Sequence, residues 1–171
     1  MGLSPHEYLN LQRKMAPNQT KCSFLHCFDV FFMGLSNLVD FISDKTTLEK
    51  LAKKFAWKID LTSVLSNDFE ALVLTDTERK IQWVNKGFEI MTGYKTHEAI
   101  GRKPNFLQGE NTDESARKRF RDGLSSGEEF SLSVKNYRNN GEEYLCKVQI
   151  FPLRNKKNEI THFLALEQEV K

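Results

Sequence analysis

At 171 residues the chain can bury one full core and still carry an added segment of about a third of its length. Its 39% hydrophobic and 28% charged residues are ordinary for a soluble globular protein. A formal net charge of +2 gives no reason to expect nucleic acid or an anionic membrane as partner.

Residues 1–20 are polar, carry Pro5 and Pro17, and predict a loosely held arm or a short helix. From Cys22 to Ile42 apolar residues recur at spacings of three and four: Phe24, Phe28, Phe31, Phe32, Leu35, Leu38, Val39 and Ile42. That spacing gives one helical face, and Asp29, Asn37 and Asp40 interrupt it too often for a membrane span. The expectation is a buried or dimer-forming helix. A second helix is predicted from a Thr46 or Thr47 cap to about Lys58, and a third from an Asp60 cap through Leu65.

The pattern changes at Phe69. Ala71–Thr75 and Ile81–Val84 read as a strand hairpin. The stretch from Trp83 to Gly109 then breaks into short helices between glycines, turning at Asn85 and breaking at Gly93 and Gly101. Such a chain reads as a strap laid across a sheet to enclose a pocket. A longer helix follows from about Asp113 to Ser125. Three strands then run over roughly 129–138, 142–153 and 160–169, the first two joined by Asn139-Asn140-Gly141 with its positive-φ preference. The fold class is α+β: a five-stranded antiparallel sheet with short helices across one face, preceded by an N-terminal helical segment. The division is residues 1–66, helical and serving capping or dimerisation, and 67–171, the sheet domain.

Cys22, Cys27 and Cys146 are an odd and scattered set, and MGLSPHEYLN has neither a basic start nor an apolar run. Free thiols in the cytoplasm are the expectation. The Met1-Gly2 start lacks the Ser or Thr that myristoylation wants where His6 stands. Cys22, His26 and Cys27 fit no common metal site and read as helix residues. Arg117, Lys118, Arg119 and Arg121 are interleaved with acids and read as a solvated helix face. No catalytic constellation or phosphate loop can be assembled, so no enzyme is expected.

NKGFEIMTGY, FLQG, NYRNNGEEY and ITHFLALEQEV resemble a PAS domain, and within that family the light-oxygen-voltage (LOV) branch that binds flavin mononucleotide. The resemblance covers roughly Asn67 to Val170. It implies the PAS fold and a sensory or protein-interaction role in signal transduction, bacterial in flavour. The LOV strap carries Gly-x-Asn-Cys-Arg-Phe-Leu-Gln, and this chain has Gly101-Arg102-Lys103-Pro104-Asn105-Phe106-Leu107-Gln108. The adduct-forming cysteine is replaced by Pro104, which has no nucleophile. Lys103 stands for the family's Asn and Asn105 for its phosphate-binding Arg. Cys146 stands for the Asn that reads the isoalloxazine edge, and Glu167 for the Gln near the reactive nitrogen. Gln108, Asn136 and Arg121 are retained. Flavin mononucleotide is thus possible, but most of its contacts are replaced and no cofactor is expected. Adduct photochemistry is not expected either.

Strand alternation assigns the faces. If Asn136, Cys146 and Glu167 point inward, so do Phe130, Leu132, Val134, Tyr144, Val148, Ile150, Phe163 and Ala165. Two arrangements follow. Lys103, Asn105, Gln108, Arg121, Asn136, Cys146 and Glu167 line a pocket for flavin, haem or a metabolite; or apolar bulk fills the space. The resemblance favours the filled core, since many PAS cavities are collapsed. Buried and unpaired, Glu167 would be expensive, and Lys103 is its candidate partner. The outer face carries Tyr137, Leu145, Phe151, Leu164 and Leu166, too apolar to leave bare. The N-terminal helices are the expected cover, in a homodimer that signals to an unknown partner protein.

Overall fold

The computed structural model describes residues 24–170, with side chains from residue 34 onward. The expected arm over 1–20 and the side chains of Cys22, His26 and Cys27 lie outside the described residues. The chain divides into two compact units. One takes the first helix up to Leu51 together with Asp60–Asn67; the other takes Ala52–Ile59 together with Asp68 onward.

Helix α1 runs unbroken over Phe24–Phe55, where two helices were expected. No Gly or Pro separates them. Thr46, read as a cap, instead donates its hydroxyl to the Ile42 carbonyl at 2.8 Å, the back-bond of a threonine inside a helix. Leu35, Val39 and Ile42, members of the expected apolar stripe, are exposed, Val39 by 63%. No described helix is long and apolar enough to cross a membrane. Helix α2, Leu61–Val64, starts as predicted at Asp60, whose carboxylate accepts from the Thr62 amide.

The second unit is built on β1 (Ala71–Asp76), β2 (Ile81–Val84), β3 (Phe130–Tyr137), β4 (Glu143–Arg154) and β5 (Ile160–Glu169). They form one antiparallel sheet in the order β2-β1-β5-β4-β3, so the last strand is central. Of the predicted positive-φ residues in the β3–β4 hairpin only Gly141 adopts one, at +85°. The Gly141 amide closes the turn on the Arg138 carbonyl at 2.9 Å.

The inner face is as alternation assigned it. Val134, Tyr144, Cys146, Val148, Ile150, Phe163 and Ala165 join Ala71, Val73, Phe88 and Leu107 in one buried cluster, with Phe130 and Leu132 half-buried against it. On the outer face Phe151, Leu164 and Leu166 are buried, while Leu145 stays 39% exposed. Here the Ala52–Ile59 segment contributes. Ala56 takes φ +54° at the end of α1, and the Trp57 indole donates to the Thr161 hydroxyl at 2.9 Å. The rings of Phe55 and Trp57 lie 4.2 and 5.2 Å from that of His162. Tyr137, expected on the bare outer face, instead meets the end of the strap. Its hydroxyl accepts from the Asn111 amide at 3.0 Å and its ring packs on Gly109.

Candidate functional site

The strap begins at Asn85, which caps α3 (Lys86–Thr92). Its Oδ1 accepts from the Phe88 amide at 3.0 Å and, across the chain, from the Leu72 amide of β1 at 2.9 Å. One buried side chain thus starts the helix and ties it to the sheet. Next to it, a Cβ on Gly87 would stand 1.7 Å from the Glu70 carbonyl oxygen, so only glycine lets the helix lie this close. Gly93, at φ +75°, ends α3.

Glu89 fastens α3 to α4 (Thr96–Ala99), its Oε1 accepting from the Thr96 amide at 2.8 Å and hydroxyl at 2.9 Å. That backbone donor first, and then Lys86 at 3.0 Å, hold the carboxyl down at about 2. The Ile81 amide and carbonyl of β2 pair with Arg102 and Gly101. A 3-10 turn over Pro104–Leu107 then leads to Gln108. Thr112 stitches the end of the strap to β3 by donating to the Lys135 carbonyl at 2.7 Å. Helix α5 (Glu114–Ser126) starts on an Asp113 cap.

Strap, α5 and inner sheet face enclose a cavity of about 390 Å³, within the range of small-molecule sites. The expectation of a filled core is therefore corrected. Phe120 and Phe163 border it, and two further phenylalanines large enough to fill it, Phe130 and Phe106, are engaged elsewhere. Phe130 stands edge-on to Phe120 at 5.7 Å and covers Gly123. Phe106 is held between Tyr94, edge-on at 5.0 Å, and the Arg102 guanidinium at 3.8 Å.

Six of the seven expected residues line the cavity: Lys103, Asn105, Gln108, Arg121, Asn136 and Glu167. Cys146 does not. It is fully buried behind the lining, its thiol 4.0 Å from Glu167 Oε2. Pro104 lines the cavity, and no thiol does. Lys103 is exposed and makes no ion pair with Glu167, which overturns that pairing. Burial alone pushes the Glu167 carboxyl up to about 7. Burial first, and then Glu167, push the Tyr144 phenol well above its usual value, and its hydroxyl is buried without a hydrogen bond.

Two cations on the lining were missed. Arg117 sits one turn before Arg121 on α5, a spacing that sequence could have offered. It donates to the Gly109 carbonyl at 2.8 Å and leaves Nε buried without a partner. Arg79, in the β1–β2 turn at φ +67°, had no sequence signal. Arg121 is tied to Glu114 at 3.0 Å. Among the described residues no group of three or more His, Cys, Asp or Glu could hold a metal ion.

The family profile described as PAS domain matches residues 70–170. The chain is a PAS domain protein. Its PAS domain is a sensory domain of signalling proteins and has strong LOV relatives. The chain is similar to the blue-light photoreceptor of Listeria innocua, 34% identical over 102 residues, covering 58% of this chain and 40% of that protein. Phototropin-2 of rice (Oryza sativa) is 31% identical over 114 residues, 65% of this chain and 13% of that protein. The chain thus spans well under half the length of these relatives. Among solved structures, the light-state Aureochrome1 LOV domain matches with a TM-score of 0.60 at 28% identity, covering 66% of this chain and 90% of that one. The LOV domain of the Erythrobacter litoralis blue-light activated histidine kinase matches at 0.56 and 30% identity, covering 61% and 97%.

The PAS cavity can be tested against the flavin that the LOV resemblance implies. An adduct does not fit, because the lining offers no thiol. A heteroaromatic ring held by hydrogen bonds does. The amides of Gln108 and Asn136 each offer donors and an acceptor, and a protonated Glu167 offers one of each.

Proposed function

We propose that this is a non-enzymatic PAS sensor that binds a small planar ligand non-covalently and works without adduct photochemistry. The observation that carries the reading is the cavity under the strap, bordered by Pro104 where the LOV pattern has its cysteine. Lys103, Asn105, Gln108, Arg121, Asn136 and Glu167 form its binding set, and Cys146 supports Glu167 from behind. A flavin is the first ligand to try, given blue-light photoreceptors among the relatives and, among the solved neighbours, a light-oxygen-voltage domain studied with a flavin analogue.

Residues 1–66 form the capping and dimerisation segment and 67–171 the sensory domain, in a cytoplasmic, bacterial homodimer that signals to a partner protein. The exposed Leu35, Val39 and Ile42 on α1 support the dimer, as does a light-state dimer of Vivid among the structural neighbours, 25% identical with a TM-score of 0.56.

The test is spectroscopic. Purified protein titrated with riboflavin should quench its fluorescence on binding. Blue light should then cause no absorption loss that reverses in the dark; a reversible bleach would refute the adduct-free reading.

A further inference from the structure

Glu167 is a carboxyl placed where a charge has no support. It lies on the central strand, flanked across the ladders by Ala71 and Val148, and only 5% of it is exposed. A carboxylate this deep needs a cation or several donors. The Cys146 thiol at 4.0 Å, a weak donor at the limit of a sulfur contact, is what it has. Yet the side chain borders the cavity, in reach of whatever enters.

We propose that Glu167 is the ligand-reading acid of this cavity: its neutral carboxyl donates a hydrogen bond to an acceptor on a planar heteroaromatic ligand, so that binding is linked to pH. The inference rests on the cavity being a ligand site. A neutral carboxyl presents one donor and one acceptor, the pattern of a primary amide. With Asn136 on β3 and Gln108 on the strap, three such groups face the cavity from three elements. They suit a heterocycle edge of alternating donors and acceptors, and they disfavour a ligand whose buried end is anionic. Ionisation of Glu167 removes its donor and places a charge against the ligand's acceptor.

No neighbour substitutes for Glu167 as the titrating group near neutrality. From β4 the Cys146 thiol and the Tyr144 phenol face it, both held protonated by burial. From β1 come Ala71, Val73 and Thr75, with nothing to titrate. Lys103 on the strap, Arg79 in its turn, and Arg117 and Arg121 on α5 border the same cavity, and none of them pairs with Glu167. Glu114 of α5 faces Arg121. Glu70 and Glu169 act on Cys146, and Glu169 is paired with Arg138 at 2.7 Å.

The probe is riboflavin, which has no phosphate to titrate, followed by fluorescence between about pH 6 and 8.5 with the full chain. The wild-type Kd should hold steady below the titration and weaken about tenfold per pH unit above it. Glu167→Gln, nearly isosteric and always a donor, should bind with a flat profile. Asn136→Ala should bind more weakly at every pH and keep the wild-type slope, which preserves the test if Glu167→Gln fails to fold. Binding by wild type that is independent of pH, or a slope that survives in Glu167→Gln, overturns the role of Glu167 and leaves the cavity reading standing. No binding by any variant at any pH overturns both.

Discussion

Replacing Glu167 with glutamine should stabilise the ligand-free protein, and the gain should depend on pH. The carboxyl titrates at about 7 when folded and near 4.5 when unfolded. Below 4.5 it is protonated in both states and contributes no pH-linked difference. Between 4.5 and 7 the folded state binds the extra proton, so stability falls as pH rises. Above 7 the folded chain carries a buried charge that the unfolded chain solvates, at a cost of about 3 kcal/mol. Glu167→Gln removes the titration and keeps the shape. Its stability relative to wild type should therefore rise by about 3 kcal/mol from pH 4.5 to pH 8, or about 6–12 °C in Tm. Urea unfolding of both proteins at pH 4.5, 6 and 8, with the m-values compared, measures it. A stability difference that is constant across the three would refute the reasoning.

Four further outcomes follow from the strap and the first helix. Asn85→Ala strands two buried amides, those of Phe88 and Leu72, and should cost about 2–4 kcal/mol in urea unfolding. Gly87→Ala drives a methyl into the Glu70 carbonyl and should lower Tm by several degrees, through a loss of about 1–3 kcal/mol. Glu89 titrates with the opposite sign to Glu167: held at about 2 when folded, it supports the strap above 4.5 and releases it as pH falls towards 2. Glu89→Gln should cost on the order of 1 kcal/mol at pH 7 and less at pH 3, with faster amide exchange in the strap as the readout. Val39→Lys with Ile42→Lys, on the exposed face of α1, should shift the light-scattering mass towards a single 19.9 kDa chain; a wild type already at that mass sinks the dimer.

The sheet was legible because its strands alternate on both sides of a hairpin signal, and register carries that alternation to every inner-face residue. Strap breaks were legible for a similar reason: Gly93 and Gly101 sit at positive φ, which few residues hold, and Asn85 is one of the few residue types whose side chain caps a helix. The unity of α1 was not, because a threonine hydroxyl can accept from a first-turn amide as a cap or donate to the i−4 carbonyl inside a helix, as Thr46 does to Ile42, and local sequence does not choose. Whether the core was filled was the least readable point. Phe130 and Phe106 are large enough to close the cavity, and only their packing on Gly123 and on Tyr94 shows where that volume went. Cys146 has the right strand parity for the site and still misses it, because parity sets the face and not the depth. Arg79 reaches the lining from a turn whose backbone angle no periodicity encodes.

The Trp57 indole, bonded to Thr161 and set against His162, offers an optical report on the central strand. The chain has two tryptophans, and Trp83 lies on β2 at the sheet's edge. Through His162, Trp57 therefore watches the outer surface of the same strand whose inner surface carries Glu167, five residues further along. A slide or twist of β5 on ligand uptake would alter the indole's hydrogen bond and its distance from the imidazole. Both govern tryptophan emission. With Trp83 replaced by phenylalanine, the protein's own fluorescence becomes a gauge of whether an event inside the cavity is felt on the far side of the sheet.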